Sequence, residues 1–82
     1  SGIYPGDLLI VDRSIKPQNN SIIIAVLDGE LSVKILKIDN KQVCLASSNT
    51  NYADVSVTEE MDFTIWGVCT NVVHNLNPRS RS

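Results

Sequence analysis

One lysine in this 82-residue chain stands in a pattern that could make it reactive. The run Leu31-Ser32-Val33-Lys34-Ile35-Leu36-Lys37-Ile38 alternates as a β-strand does, which puts Lys34 on one face with Ser32, Leu36 and Ile38 and sets Val33, Ile35 and Lys37 opposite. Two readings follow. In the first, Lys34 lies on a solvated edge and runs its stem past apolar neighbours with its ammonium in water. In the second, it is desolvated. Burial disfavours an ammonium and lowers a lysine pKa from about 10.4 by as much as roughly 3–5 units. A lysine that is neutral near pH 7 can accept the proton of a serine hydroxyl and so generate a nucleophile.

The other chemically capable residues converge less. His74 is the one histidine, and Cys44 and Cys69 lie far apart, which gives no zinc-ligand spacing. Two cysteines are too few for a disulfide framework; each sits in an apolar stretch and reads as a small core residue in a reducing cytosol. His74 reads as a partly exposed residue at a strand end. Glu59, Glu60 and Asp62 read as a solvated turn, because a metal site needs convergence from elsewhere. No metal or cofactor is expected.

The elements that must position Lys34 are almost all strands. No stretch keeps helical i, i+3, i+4, i+7 apolar spacing for three turns. Short β-branched runs alternate with turn residues instead. Strands are expected at 8–12, 21–27, 30–38, 42–46, 52–58 and 63–73. The second is apolar nearly throughout, as for a strand buried on both faces. Asp28-Gly29 is a two-residue hairpin signal, since both residues tolerate positive φ. Asp39-Asn40-Lys41 turns the chain again, and 13–20 and 47–51 are polar loops. Val55 and Val57 share a face. Gly67, inside the last strand, marks a bulge, a bend or a close backbone approach. Phe63 and Trp66, three apart, fall on opposite faces, one in the core and one at an interface. The expected fold is all-β: a small, strongly bent sheet or partly open barrel of about six strands. Residues 1–74 form one domain and 75–82 a polar tail.

Composition narrows the function. Seven Lys and Arg against nine Asp and Glu give a net charge of −2, with 43% hydrophobic and 20% charged residues. That balance argues against a basic nucleic-acid binder or a polybasic membrane-surface module. No apolar run nears the roughly 20 residues of a bilayer span, and the opening residues carry no signal-peptide pattern. A cytoplasmic protein is expected.

Several longer runs resemble one family. Gly2-Ile3-Tyr4-Pro5-Gly6-Asp7-Leu8-Leu9-Ile10-Val11-Asp12-Arg13-Ser14 looks like the G-I-x-x-G-D-L-L-I-V-D-R-S segment of the UmuD branch of the LexA/UmuD family. Ile22 through Lys34 looks like its I-V-I-A-x-x-D-G-E-x-T-V-K segment. Asn49 with Tyr52, and Ile65-Trp66-Gly67-Val68, fit its N-x-x-Y and I-W-G-V motifs. These follow the family's order over nearly the whole chain, and the Asp-Arg-Ser and Trp-Gly-Val elements favour the UmuD branch.

The resemblance implies a C-terminal peptidase and dimerisation domain with a Ser-Lys dyad, which cleaves its own N-terminal arm on a RecA–DNA filament in the SOS response. The V-K match makes Lys34 the general base. For the UmuD branch it further implies a homodimer that joins a Y-family (UmuC-like) DNA polymerase in translesion synthesis, without sequence-specific nucleic-acid binding by this domain.

The departures limit that carry-over. The family's nucleophile is a serine five residues before the glycine matched by Gly2, hence upstream of Ser1, and Ser1 itself is not that residue. No Ala-Gly or Cys-Gly scissile pair occurs. The chain therefore reads as a truncated core domain, inactive alone. Asn20 stands where the family usually has Gly before its I-V-I-A strand; Asn tolerates positive φ, so the turn is expected to survive. Ile35 replaces a common Arg or Lys. The alternatives are the C-terminal self-cleavage and dimerisation domain of a LexA or phage-type repressor, and a non-enzymatic β interaction module.

Overall fold

The computed structural model describes residues 6–48 and 51–74. Six strands, β1 (Leu8–Asp12), β2 (Ile22–Leu27), β3 (Glu30–Asp39), β4 (Gln42–Ala46), β5 (Val55–Ser56) and β6 (Phe63–Val73), make one antiparallel sheet in the order β1-β6-β2-β3-β4-β5. The all-β reading holds, and the sheet stays open between its β1 and β5 edges. The expected 75–82 tail and the motif residues Gly2 to Pro5 and Asn49 lie outside the described residues.

The turns form where the sequence allows left-handed backbone. Asp28 and Gly29 have φ of 50° and 84°, as a two-residue turn matched to strand twist requires. Asn40 and Lys41, at 48° and 66°, repeat the device between β3 and β4. Asn20, at 73°, takes the conformation expected of it. Its backbone N–H donates to Leu36 O and its side-chain oxygen accepts from Lys37 Nζ at 2.6 Å, while Asn19 Oδ1 accepts from the Ile38 N–H. The loop after β1 is thereby stitched to β3 just past Lys34.

The core is one-sided. Ile23, Ala25, Leu36, Leu45 and Val68 are buried together, with Leu27, Val43, Val55, Val57, Phe63 and Ile65 packed against them. Ile24 is buried on the opposite face, so β2 is covered on both sides at its centre, as its apolar run implies. The cysteines depart from the core reading: both are free and only half-buried. Cys44 pairs with Lys37 and Cys69 with Val11, in positions that alternate away from Leu45 and Val68.

The sheet has to curl. In a flat sheet the register would set Val57 and Phe63 about 32 Å apart, from four strand spacings of ~4.8 Å and eight rises of ~3.3 Å. Six residues of chain reach at most about 22 Å. The link runs from a Val57 N–H bond to Val43 O, through Met61 N–H to Thr58 O, to reciprocal contacts between Asp62 and Asp28, and so crosses the inner face. This also explains the shortened fifth strand. Alternation marked 52–58, yet β5 keeps only Val55–Ser56, opposite Leu45 and Cys44. Beyond it the chain must leave the edge to close the curl. Val55 and Val57 do share the core-facing side.

β6 carries two irregularities. Ile24 pairs with Gly67 but Ala25 with Ile65, which makes Trp66 an extra residue; Ile10 pairs with Asn71 but Val11 with Cys69, which makes Thr70 another. The first bulge brings Ile65 and Val68, three apart, to the same core. Trp66 is turned out, 43% exposed, with the Arg13 guanidinium 4.6 Å from its ring centroid and Arg13 Nε donating to its carbonyl at 2.9 Å. Gly67 is needed because β1 crosses closely: a Cβ there would lie 2.5 Å from Val11 Cγ1. Gly67→Ala is expected to destabilise by about 1–3 kcal/mol through overpacking, and Val11→Ala in the same chain should restore much of the loss. A thermal-melt double-mutant cycle measures this; additive losses would mean that the two do not collide.

Candidate functional site

Lys34 lies mid-β3, paired with Ile23, the fully buried centre of β2. Its face carries Ser32, opposite Ala25, and Leu36, opposite Leu45. Strand alternation thus sets the lysine on the core-facing side, with apolar residues along and across from it. It is half-buried. Among the described residues its amine has no hydrogen-bond or ion-pair partner, whereas Lys37, three residues on and on the outer face, is held by Asn20.

The register fixes what surrounds it. Lys34, Ile23, Val68 and Asp12 form one row across β3, β2, β6 and β1. Asp12 is therefore three strands away, about 14 Å. Its carboxylate is occupied locally: the Ser14 hydroxyl donates to Asp12 Oδ1 at 2.6 Å and the Ser14 N–H at 2.8 Å, and these bonds hold the carboxyl below the ordinary carboxylate range. The stabilisation this gives is present at neutral pH and fades as pH falls through the lowered value. Ser14→Ala should move the Asp12 titration back up, which a side-chain NMR titration reads directly. Carried one step past Ala46, the β3–β4 register sets Lys34 level with Ser47, which is half-buried at the start of the polar loop 47–51.

The remaining candidates are not brought to Lys34. Glu59, Glu60 and Asp62 are exposed in the segment before β6, and no group of three metal-binding side chains forms among the described residues. An open cavity of about 470 Å³, floored by Val43, Val57 and Phe63 at the mouth of the curl, does not include Lys34 in its lining. His74 is partly exposed just past β6, as expected, but it is also paired: Nδ1 lies 2.8 Å from Asp7 Oδ2. Nothing local in the sequence signals that contact, which joins residues 67 apart. Among the described residues no helix is long and apolar enough to cross a membrane.

Comparison with known proteins adds a lineage to this geometry. Residues 1–70 match the family described as Peptidase S24-like. LexA repressor 2 of Xanthomonas axonopodis pv. citri (strain 306) is 37% identical over 67 residues, which cover 82% of this chain and 32% of the relative. The LexA repressor of Xylella fastidiosa (strain M12) is 36% identical over 67 residues, with the same coverage. The chain thus spans about a third of the length of the curated relatives it matches.

Proposed function

The chain belongs to the Peptidase S24-like family, and from that membership we propose that it is the self-cleavage and dimerisation portion of a LexA-type repressor. The observation that carries the peptidase half is Lys34, an amine without a partner among the described residues, on the core face of β3 opposite Ile23. The repressor half is supported by the relatives, which are named LexA repressors.

Lys34 is the general base in this reading. Its neutral amine takes the proton of the serine hydroxyl that the family pattern places upstream of residue 1. The serine oxygen attacks the scissile carbonyl, and the resulting ammonium returns the proton to the departing amine, leaving an acyl-enzyme for water to hydrolyse. A RecA–DNA filament is the proposed trigger, a homodimer the proposed assembly and the cytoplasm the proposed setting. The base must be unprotonated, so self-cleavage of the natural protein carrying the upstream serine should accelerate as pH rises. Incubation across neutral to alkaline pH, followed by mass spectrometry of the products, tests this; a full-length protein that stays intact at every pH overturns the peptidase reading.

The UmuD-like reading, an accessory subunit of a Y-family polymerase, keeps Asp12-Arg13-Ser14 and Trp66-Gly67-Val68 in its favour. Those two elements touch, Arg13 over Trp66, and together they brace β1 on β6. A brace of that kind serves a repressor domain equally well, so it does not outweigh the repressor relatives. Sequence-specific operator binding by the full-length protein supports the repressor; binding to a Y-family polymerase with no operator binding would reverse the choice.

A further inference from the structure

The cavity at the mouth of the curl holds about 470 Å³, within the range of about 300–1,000 Å³ typical of small-molecule sites. Its floor is apolar: Val43 from β4, Val57 from just past β5 and Phe63 from the start of β6. All three pack against the core on one side, yet each is only half-buried. The walls are tied in place. The Val57 N–H donates to Val43 O at 2.8 Å, and the chain entering β6 is clasped by the Asp62 N–H donating to Asp28 Oδ1 at 3.0 Å. A ligand would therefore meet a preformed floor and would not have to order it.

The rim carries both signs of charge. Lys41 and Glu59 line the same cavity, and among the described residues neither makes a hydrogen bond or an ion pair. Gln42 and Thr58 complete the rim with neutral donors and acceptors. Lys41 is also kept there against its backbone preference. Its φ of 66° is left-handed, a conformation in which glycine or asparagine is the usual occupant. Residues held in such conformations cluster at ligand sites. Here the turn forgoes the easier residue and gains a cation beside an apolar floor.

We propose that this cavity is a binding site for a free α-amino acid with a large apolar side chain. The side chain lies on Val43, Val57 and Phe63, the carboxylate faces Lys41 and the ammonium faces Glu59. An uncharged apolar ligand would leave both rim charges unused, and a simple acid or amine would use one. Lys34 is not in the lining, so the proposal stands apart from the peptidase reading, and neither result decides the other.

The test follows the methyl groups of Val43 and Val57 by NMR in the full-length natural protein. L-phenylalanine, phenylpropanoate (no ammonium) or phenethylamine (no carboxylate) is added in turn. L-phenylalanine is expected to move both valines saturably, with a Kd in the millimolar range for so small a ligand. Each one-charge analogue should bind about threefold or more weakly, as loss of an exposed ion pair predicts. Lys41→Gly should weaken L-phenylalanine and phenylpropanoate, leave phenethylamine unchanged, and melt no lower than the wild type, because glycine accepts a φ of 66°. Glu59→Gln should weaken L-phenylalanine and phenethylamine and leave phenylpropanoate unchanged. If L-phenylalanine moves neither valine, there is no site. If the three ligands bind equally, or Lys41→Gly weakens phenethylamine as much as L-phenylalanine, the cavity is a plain apolar crevice and the proposal fails. Methyl shifts that change with protein concentration before any ligand is added would assign the cavity to a second copy of the chain, which also overturns it.

Discussion

Replacing Lys34 with alanine in the full-length protein is expected to abolish self-cleavage. A nucleophile and its base act as a unit, and losing one member of such a pair costs about 10⁴–10⁶-fold in rate, which takes a slow intramolecular reaction below detection. The fold should not suffer. Lys34 makes no polar contact among the described residues, and its strand is held by the β2 and β4 ladders and by the Asn19–Asn20 stitches beyond it. Lys34→Met sharpens the test, since it keeps the stem and removes the amine. It should melt at or above the wild-type temperature, because a half-buried amine gives way to an apolar group of similar length. Lys34→Arg should be equally inactive, because a guanidinium stays protonated and cannot serve as a base. Self-cleavage at near wild-type rate in any of the three would remove Lys34 from the mechanism.

That much of this site is visible in the sequence follows from the period of a strand. Once 30–38 is read as extended, Lys34 must share a face with Leu36 and Ser32, and the buried Leu36 shows that face to be the inner one. The turns were equally legible in place, at Asp28-Gly29 and Asp39-Asn40-Lys41, although the left-handed backbone of Lys41 does not follow from its residue type. What could not be read was anything set by curvature. The strand pattern at 52–58 is real, yet the length of β5 is decided by where the chain must leave β4 to cross the inner face. Bulges are similarly hidden. Phe63 and Trp66 do separate, Phe63 onto the core and Trp66 outward under Arg13. The cysteines looked like core residues because their neighbours are apolar; one step of alternation puts both on the other side. The Asp7–His74 contact depends on β1 pairing with β6 rather than with β2, which no local pattern announces. Family motifs carry a related ambiguity. Asp-Arg-Ser and Trp-Gly-Val pointed toward one branch, yet their shared task is to lock an edge strand, a demand that branches of one fold have in common.

The largest loss of stability is expected from Ile23→Ala. Ile23 is fully buried and lies at the crossing of the two central ladders, opposite Lys34 on β3 and Val68 on β6. Truncating a buried isoleucine costs about 2–5 kcal/mol from lost transfer energy and the cavity left behind. A chain of this size holds roughly 4–12 kcal/mol in total, at about 0.05–0.15 kcal/mol per residue. The variant should therefore fold but melt far lower, by about 4–8 °C for each kcal/mol lost. Ile23→Val, which removes one methylene, should cost only about 0.5–1.5 kcal/mol. The position also links stability to chemistry, because the space opened lies opposite Lys34 and admits water beside the proposed base. Ile24→Ala is the control: it empties the opposite face of the same strand. At a temperature where all variants are folded, Ile23→Ala should cleave more slowly than Ile24→Ala even if the two melt alike. Equal cleavage rates for the two would mean that the apolar wall opposite Lys34 has no part in the proposed chemistry.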